Sequence, residues 1–562
     1  MTGPRHEDRL RALSPSGRRW LADALTAKAP RTGRERLIGY VVVDEEKPLD
    51  RADMVEHLAK RLPKAARPSE LRRVERMPRL PNGKVDRSKL SAVAGTTVGA
   101  EAPLEPDAPA SSIQFSNDVE QRLASIIADV LGVPTVERDD HFFELGGDSI
   151  LSIQVVAKAN QQSIAVTPSM LFERPTVAGL AAALGHDVAP PSEDAAPPPS
   201  PSTSPFVGAL PLLPIQHWFF DQRLPDRHHW NQALLVELRG RVTDEALRSA
   251  LAALVDRHDV LRHGYPHGAA GWQQLCLADV PDVPLTHHDA TGRVTEVCDA
   301  LQASLSLTQP PLVRAARLRD GDRSLLFLVL HHLVTDGVSW GILVGDLERA
   351  LSGRRLSPRT TSYATWAETL TEWAITGRFA DQLATWTAPE RAAARPLPVD
   401  EPHGNGDVST ARNVRVALPA EQTNALLRDA PKRYRSRINE VLLTAVGLAV
   451  ERWTGRRELL IDVEGHGREA LGANIDLSST VGWFTSLFPV VLRWGGGQHD
   501  ALGAIKQTLR AIPDHGLGYG VLRYLSPDSE VRQRHAAMPQ ANIYFNYKAQ
   551  TDGMWRGSDW FS

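Results

Sequence analysis

Ser324-Leu325-Leu326-Phe327-Leu328-Val329-Leu330-His331-His332-Leu333-Val334-Thr335-Asp336-Gly337-Val338-Ser339-Trp340 joins an unbroken apolar run to two histidines, an aspartate and a glycine. The apolar part reads as a continuous strand that ends in His331-His332. Successive side chains on a strand point to opposite faces, so one histidine faces a cavity while the other turns toward the protein. Two such histidines are poor ligands for one metal, and no metal site is expected from His331, His332 and Asp336. Histidine titrates near neutrality and can act as a general base, whereas a satisfied core histidine is the reading that suits His331. Asp336, four residues after His332, reads as a buried ion-pair partner that holds the loop, with Arg262 as its candidate cation.

Around this stretch, from 206 to the end, strands and helices alternate: ALLVELRG reads as a strand, EALRSALAALVDRH and INEVLLTAVGLAVERW as helices. The tryptophans of ATWAETLTEWA recur at helical spacing and read as core. The run GLGYG at 516–520 is loosely like a dinucleotide loop but lacks the helix pattern and downstream acid such a loop needs, so NAD binding is rejected.

Upstream, two stretches lose hydrophobic periodicity and fill with Ala, Pro, Ser and acidic residues: 91–112 and 187–205. Too little apolar surface is available there to offset the entropy of ordering, and both read as linkers. They separate bodies at 36–90, 113–186 and 206–562, with residues 1–35 unassigned. A length of 562 residues with 42% hydrophobic and 23% charged residues suits several domain cores. A formal net charge of -3 with both signs interspersed gives no footprint for nucleic acid or an anionic membrane. No run approaches the ~20 apolar residues of a membrane span, and Cys276 and Cys298 show no ligand spacing and read as structural. A cytoplasmic protein is expected.

The middle body reads as a helical bundle in which the loop His141-Phe142-Phe143-Glu144-Leu145-Gly146-Gly147-Asp148 meets a helix at Ser149. Gly146 and Gly147 let the chain turn and Asp148 can cap. A serine that begins a helix is ordinarily a cap, yet it is also exposed beside orphan amides that favour a phosphate ester. In the first body, 37–44 reads as a strand, ADMVEHLAKRLP as a helix, and Pro81-Asn82-Gly83 as a turn presenting Lys84.

These runs together resemble the nonribosomal peptide synthetases. Residues 36–90, ending in Asn82-Gly83-Lys84-Val85-Asp86-Arg87, resemble the C-terminal subdomain of an adenylation domain, whose motif lysine contacts the acyl-adenylate. Lys84 holds that position, as a relic, since the large subdomain that binds ATP and the amino acid is absent from this chain. The run Phe142–Ile150 resembles a peptidyl carrier, which implies 4'-phosphopantetheine on Ser149 beside Gly147 and Asp148, attached by a phosphopantetheinyl transferase. Residues 206–562 resemble the condensation superfamily, through His331–Trp340, Leu213–Phe219, His229–Gln232, Val463–Glu469, Thr480–Thr485, Gly518–Tyr524 and Pro539-Gln540 with Phe545–Tyr547, and more closely its epimerization branch. The implied fold is multidomain: a small α+β subdomain, a four-helix-bundle carrier, and an α/β domain of two chloramphenicol-acetyltransferase-like lobes.

The resemblance gives the general-base role to His332 and the second acid/base role to Glu464, a residue that ordinary condensation domains lack. Epimerization removes the α-proton of a thioester and returns one to the other face, so two groups are the simplest design, and desolvation should raise the Glu464 pKa. Asn546 or Tyr547 could donate to the enolate oxygen, or pack, and Gly337 leaves room for the pantetheine arm. Implied partners are an adenylation domain upstream or in trans, a downstream condensation domain, and an aminoacyl or peptidyl thioester. A peptide-bond-forming condensation domain and a non-catalytic carrier and docking fragment are the rival readings. Family members continue beyond the Phe545-Asn546-Tyr547 motif, so a truncated second lobe with an exposed sheet edge is expected.

Overall fold

The computed structural model describes residues 38–41, 70–73, 96–97, 115–162, 164, 166–186, 206–240, 242–269, 271–401, 410–469, 471, 475–548, 558 and 560–561. It divides into two units, Met1–Ser112 and Ile113–Ser562. In the first, β1 (Ile38–Val41) pairs parallel with β2 (Glu70–Arg73), and β2 pairs antiparallel with β3 (Thr96–Thr97). β1 falls where a strand is expected, whereas β3 lies inside the stretch read as a linker. Its threonines extend because β2 offers them a pairing edge, which composition alone does not reveal. Lys84 and the helical pattern before it lie outside the described residues.

The second unit opens with four helices, α1 (Asp118–Leu131), α2 (Ser149–Gln161), α3 (Pro168–Glu173) and α4 (Val177–His186). Leu123, Ile127 and Leu131 recur on one face of α1 at helical spacing and meet Val155, Leu171 and Leu180 in a common core. The Asn117 side chain accepts from Glu120 N at 2.8 Å, and α1 stops at Gly132, where φ is 62°.

Beyond residue 206, α5 (Pro214–Asp221) precedes a four-stranded sheet built from β4 (Asn231–Glu237), β5 (Leu285–Asp289), β6 (Val313–Asp320) and β7 (Arg323–His331) in the order β5-β6-β7-β4. From Leu325 onward every residue of β7 is buried. Leu326, Leu328 and Leu330 enter the large core, while Leu325, Phe327 and Val329 enter a smaller one on the other face, under the helix Val294–Gln302. Both faces are covered, which is why the run is continuously apolar, and each such side chain contributes about 1.5–3 kcal/mol.

α6 (Gly337–Leu351) leaves the end of β7 and α7 (Tyr363–Ile375) follows, its Trp366 fully buried and edge-on to Trp373 at 5.7 Å. A second sheet comes from β8 (Glu458–Gly465), β9 (Ser486–Arg493) and β10 (Tyr544–Phe545), ordered β9-β8-β10, and is preceded by the helix α8 (Ile438–Thr454). β8 runs antiparallel to β9 and parallel to β10. Side chains of both sheets share the large core, so the two are packed as one body. The sheet edge at β4 is met by Phe561, which bridges to Leu238 and is 1% exposed.

Candidate active site

The strand β7 delivers the two histidines to different surroundings. His331, its last residue, is fully buried: Nε2 lies 2.9 Å from Arg227 O, and Nδ1 accepts from Leu333 N at 3.1 Å. Burial lowers its pKa to about 3, so it stays a neutral structural residue. His332 begins the 3-10 turn that follows, with its ring on Trp483 at 4.3 Å between centroids. Its Nε2 lies 2.7 Å from Gln232 Nε2, and the Trp340 indole donates to Gln232 Oε1 at 2.8 Å. An indole N–H can only donate, so it fixes the Gln232 amide with its nitrogen toward His332. Nε2 of neutral His332 is therefore the accepting, basic nitrogen, and desolvation holds its pKa below the ordinary value.

Asp336 caps α6 by accepting from Ser339 N at 2.7 Å. Its carboxylate also accepts from Arg468 Nη2 at 3.1 Å on both oxygens and from Phe484 N at 3.1 Å. The expected buried ion pair is present, but the cation is Arg468 and not Arg262. Arg262 instead bonds Asp259 at 2.9 Å and Val255 O at 2.8 Å, completing a local turn three residues away. Arg468 is held further by Ser339 Oγ at 2.9 Å and Leu477 O at 2.9 Å, and lies over the Phe484 ring at 4.0 Å.

Glu464 stands near the end of β8. Thr485 Oγ1 donates to its Oε1 at 3.3 Å, while Oε2 is buried without a hydrogen-bond partner. Burial raises its pKa, and Tyr544 and Thr485 oppose that rise. Three successive residues thus tie the site together: Trp483 carries the His332 ring, Phe484 binds Asp336, and Thr485 binds Glu464. The turn before β9 that presents them is crowded: Gly467 has φ 65°, and a Cβ there would stand 1.7 Å from Phe484 O. The exposed Lys548 lies within electrostatic reach of both His332 and Glu464.

The enolate-binding candidates directly follow β10 and precede Lys548. Asn546 is exposed, one residue past β10. Tyr547 is pushed up to about 12 by burial and by the charge of Asp148. Gln232, Arg468, Trp483 and Thr485 lie inside the sequence runs named above without standing out individually, and Tyr544 lies outside them.

In the helical body, Asp148 Oδ1 accepts from Leu151 N at 2.9 Å, capping α2 at the point where Ser149 begins it. Gly147 is required: a Cβ would stand 2.5 Å from the Phe142 ring. A capped helix N-terminus reached through a glycine turn fits a phosphodiester on Ser149. A Cβ at Gly337 would meet nothing within 4 Å, so space is open there. Among the described residues no group of three or more His, Cys, Asp or Glu could hold a metal, and no helix is long and apolar enough to cross a membrane.

Three family models match in chain order: the AMP-binding enzyme C-terminal domain at residues 25–84, the phosphopantetheine attachment site at 121–184, and the condensation domain at 207–557. The first begins inside residues 1–35, where the sequence shows no recognisable pattern. Linear gramicidin synthase subunits B and C of Brevibacillus parabrevis are 40% and 38% identical over 92% and 95% of the chain. The chain spans 10% and 7% of their own lengths. Among solved structures, the epimerization domain from the third module of tyrocidine synthetase B is 32% identical, with a TM-score of 0.58 over 62% of this chain and 81% of that one.

Proposed function

The chain belongs to the nonribosomal peptide synthetases through a condensation-family domain at 207–557, and on that premise we propose that this domain epimerizes an L-aminoacyl or peptidyl thioester carried on Ser149. The phosphopantetheine attachment family implies a covalent 4'-phosphopantetheine, which supplies a flexible thiol arm that holds the acyl group as a thioester. The observation that carries the reading is a second desolvated acid/base group: Glu464, joined to His332 through Trp483–Thr485. Amide formation has no evident task for it.

In the proposed reaction the α C–H bond breaks, its electron pair moves into the thioester carbonyl to give an enolate, and one of the pair His332 and Glu464 takes the proton. The other, which enters the step protonated, gives its proton to the opposite face, and the carbonyl re-forms. Burial lowers the histidine and raises the carboxyl, which narrows the gap between their ordinary proton affinities. Asp336 and Arg468 hold the loops and move no proton. Lys548 adds positive potential where the enolate charge develops.

Peptide-bond formation remains the competing reading because the family model describes condensation domains. Replacing Glu464 by Gln separates them. Under the epimerase reading E464Q abolishes α-proton exchange of the loaded thioester with solvent; under the condensation reading amide formation continues in E464Q at the wild-type rate.

A further inference from the structure

Glu464 has one long hydrogen bond, 3.3 Å from Thr485, and a buried Oε2 with none, although an unsatisfied buried carboxylate oxygen is costly. β10 lies parallel to β8 with Asp462 opposite Tyr544 and Val463 opposite Phe545. Cross-strand partners share a face, and so do residues two apart on a strand, so Asp462, Glu464 and Tyr544 lie on one side of the sheet. We propose that Tyr544 is a positioning residue for the epimerization argued above: its phenol donates to Glu464 Oε2, fixing the carboxylate in the rotamer that faces the substrate.

This rests on the epimerase reading for its consequence, not for the contact itself. The electrostatics agree in both directions. Tyr544 is 47% exposed as a residue, yet its phenol is pushed upward by desolvation and by Glu464, and it lowers the carboxyl in return. The other charged groups facing Glu464 are Asp336, which raises it, and Lys548, which lowers it; Asp462 acts on the phenol from the same face. Tyr544 therefore opposes the upward push that burial gives the Glu464 carboxyl.

The test is Tyr544→Phe in the full chain carrying [13C]carboxyl glutamate, with the Glu464 resonance identified by its loss in E464Q. The Glu464 midpoint is expected to move to higher pH in Y544F. The limb of the α-proton exchange profile that it governs should move the same way, with exchange below that limb reduced about threefold or more. An unchanged midpoint overturns the proposal. Should the wild-type chain show no exchange at all, the epimerase reading fails by itself, and the resonance still decides whether the phenol acts on Glu464.

Discussion

Arg468 spans two loops: one nitrogen binds both Asp336 oxygens, and another reaches Leu477 O at 2.9 Å. Both side chains are nearly inaccessible, so removing one partner strands a charge in the interior. Arg468→Met should lower stability by about 3–5 kcal/mol in urea titrations. Glu464 should behave in the opposite sense, because its desolvated carboxyl is a cost to the fold. E464Q should raise the melting temperature in calorimetry while removing exchange, as expected where function holds a group in an unfavourable setting. That Asp336 is a buried ion-pair residue was legible from its place after an apolar strand. Its partner was not: Arg262 and Arg468 both carry the charge, and only the folded path shows that Arg262 is already saturated by Val255 and Asp259.

At the scale of elements, the segment between β8 and β9 sets the site, and Gly467 within it allows no side chain. Gly467→Ala must displace Phe484, whose N–H binds Asp336 at 3.1 Å. The variant should lose exchange activity and melt several degrees lower by circular dichroism, even though no acid/base group has been touched. β7 and α8 were readable because six successive apolar residues and a long helical period leave few alternatives. Tyr544 was not, since β10 is a two-residue strand whose parallel register to β8 is fixed by packing and not by local pattern. The same holds for β3, a pair of threonines in a stretch whose composition reads as linker.

Across the whole molecule, buried neutral histidines set the response to acid. His331 and His263 are lowered to about 3 and His535 to about 4, and His258, His332 and His466 are lowered as well, in each case chiefly by burial. The unfolded chain binds protons near the ordinary value of 6.5 that the folded chain refuses. Stability is thus fully retained above 6.5 and falls as the pH drops from there toward 3. His515, raised by its bond to Glu469, acts in the opposite sense, but its side chain is 56% exposed and its effect is small. Melting temperatures recorded from pH 7.5 down to pH 4.5 should decline progressively once below about pH 6.5; a flat profile would mean that these histidines protonate in place.

The most direct measurement uses the chain loaded on Ser149 with an L-aminoacyl-pantetheine by a phosphopantetheinyl transferase and incubated in deuterated water. The residue is then released and scored for chirality and α-deuterium. The predicted result is D-residue carrying deuterium, lost in both H332A and E464Q. Quantitative loading that returns only L-residue without deuterium would contradict the assignment of His332 and Glu464 as an epimerizing pair.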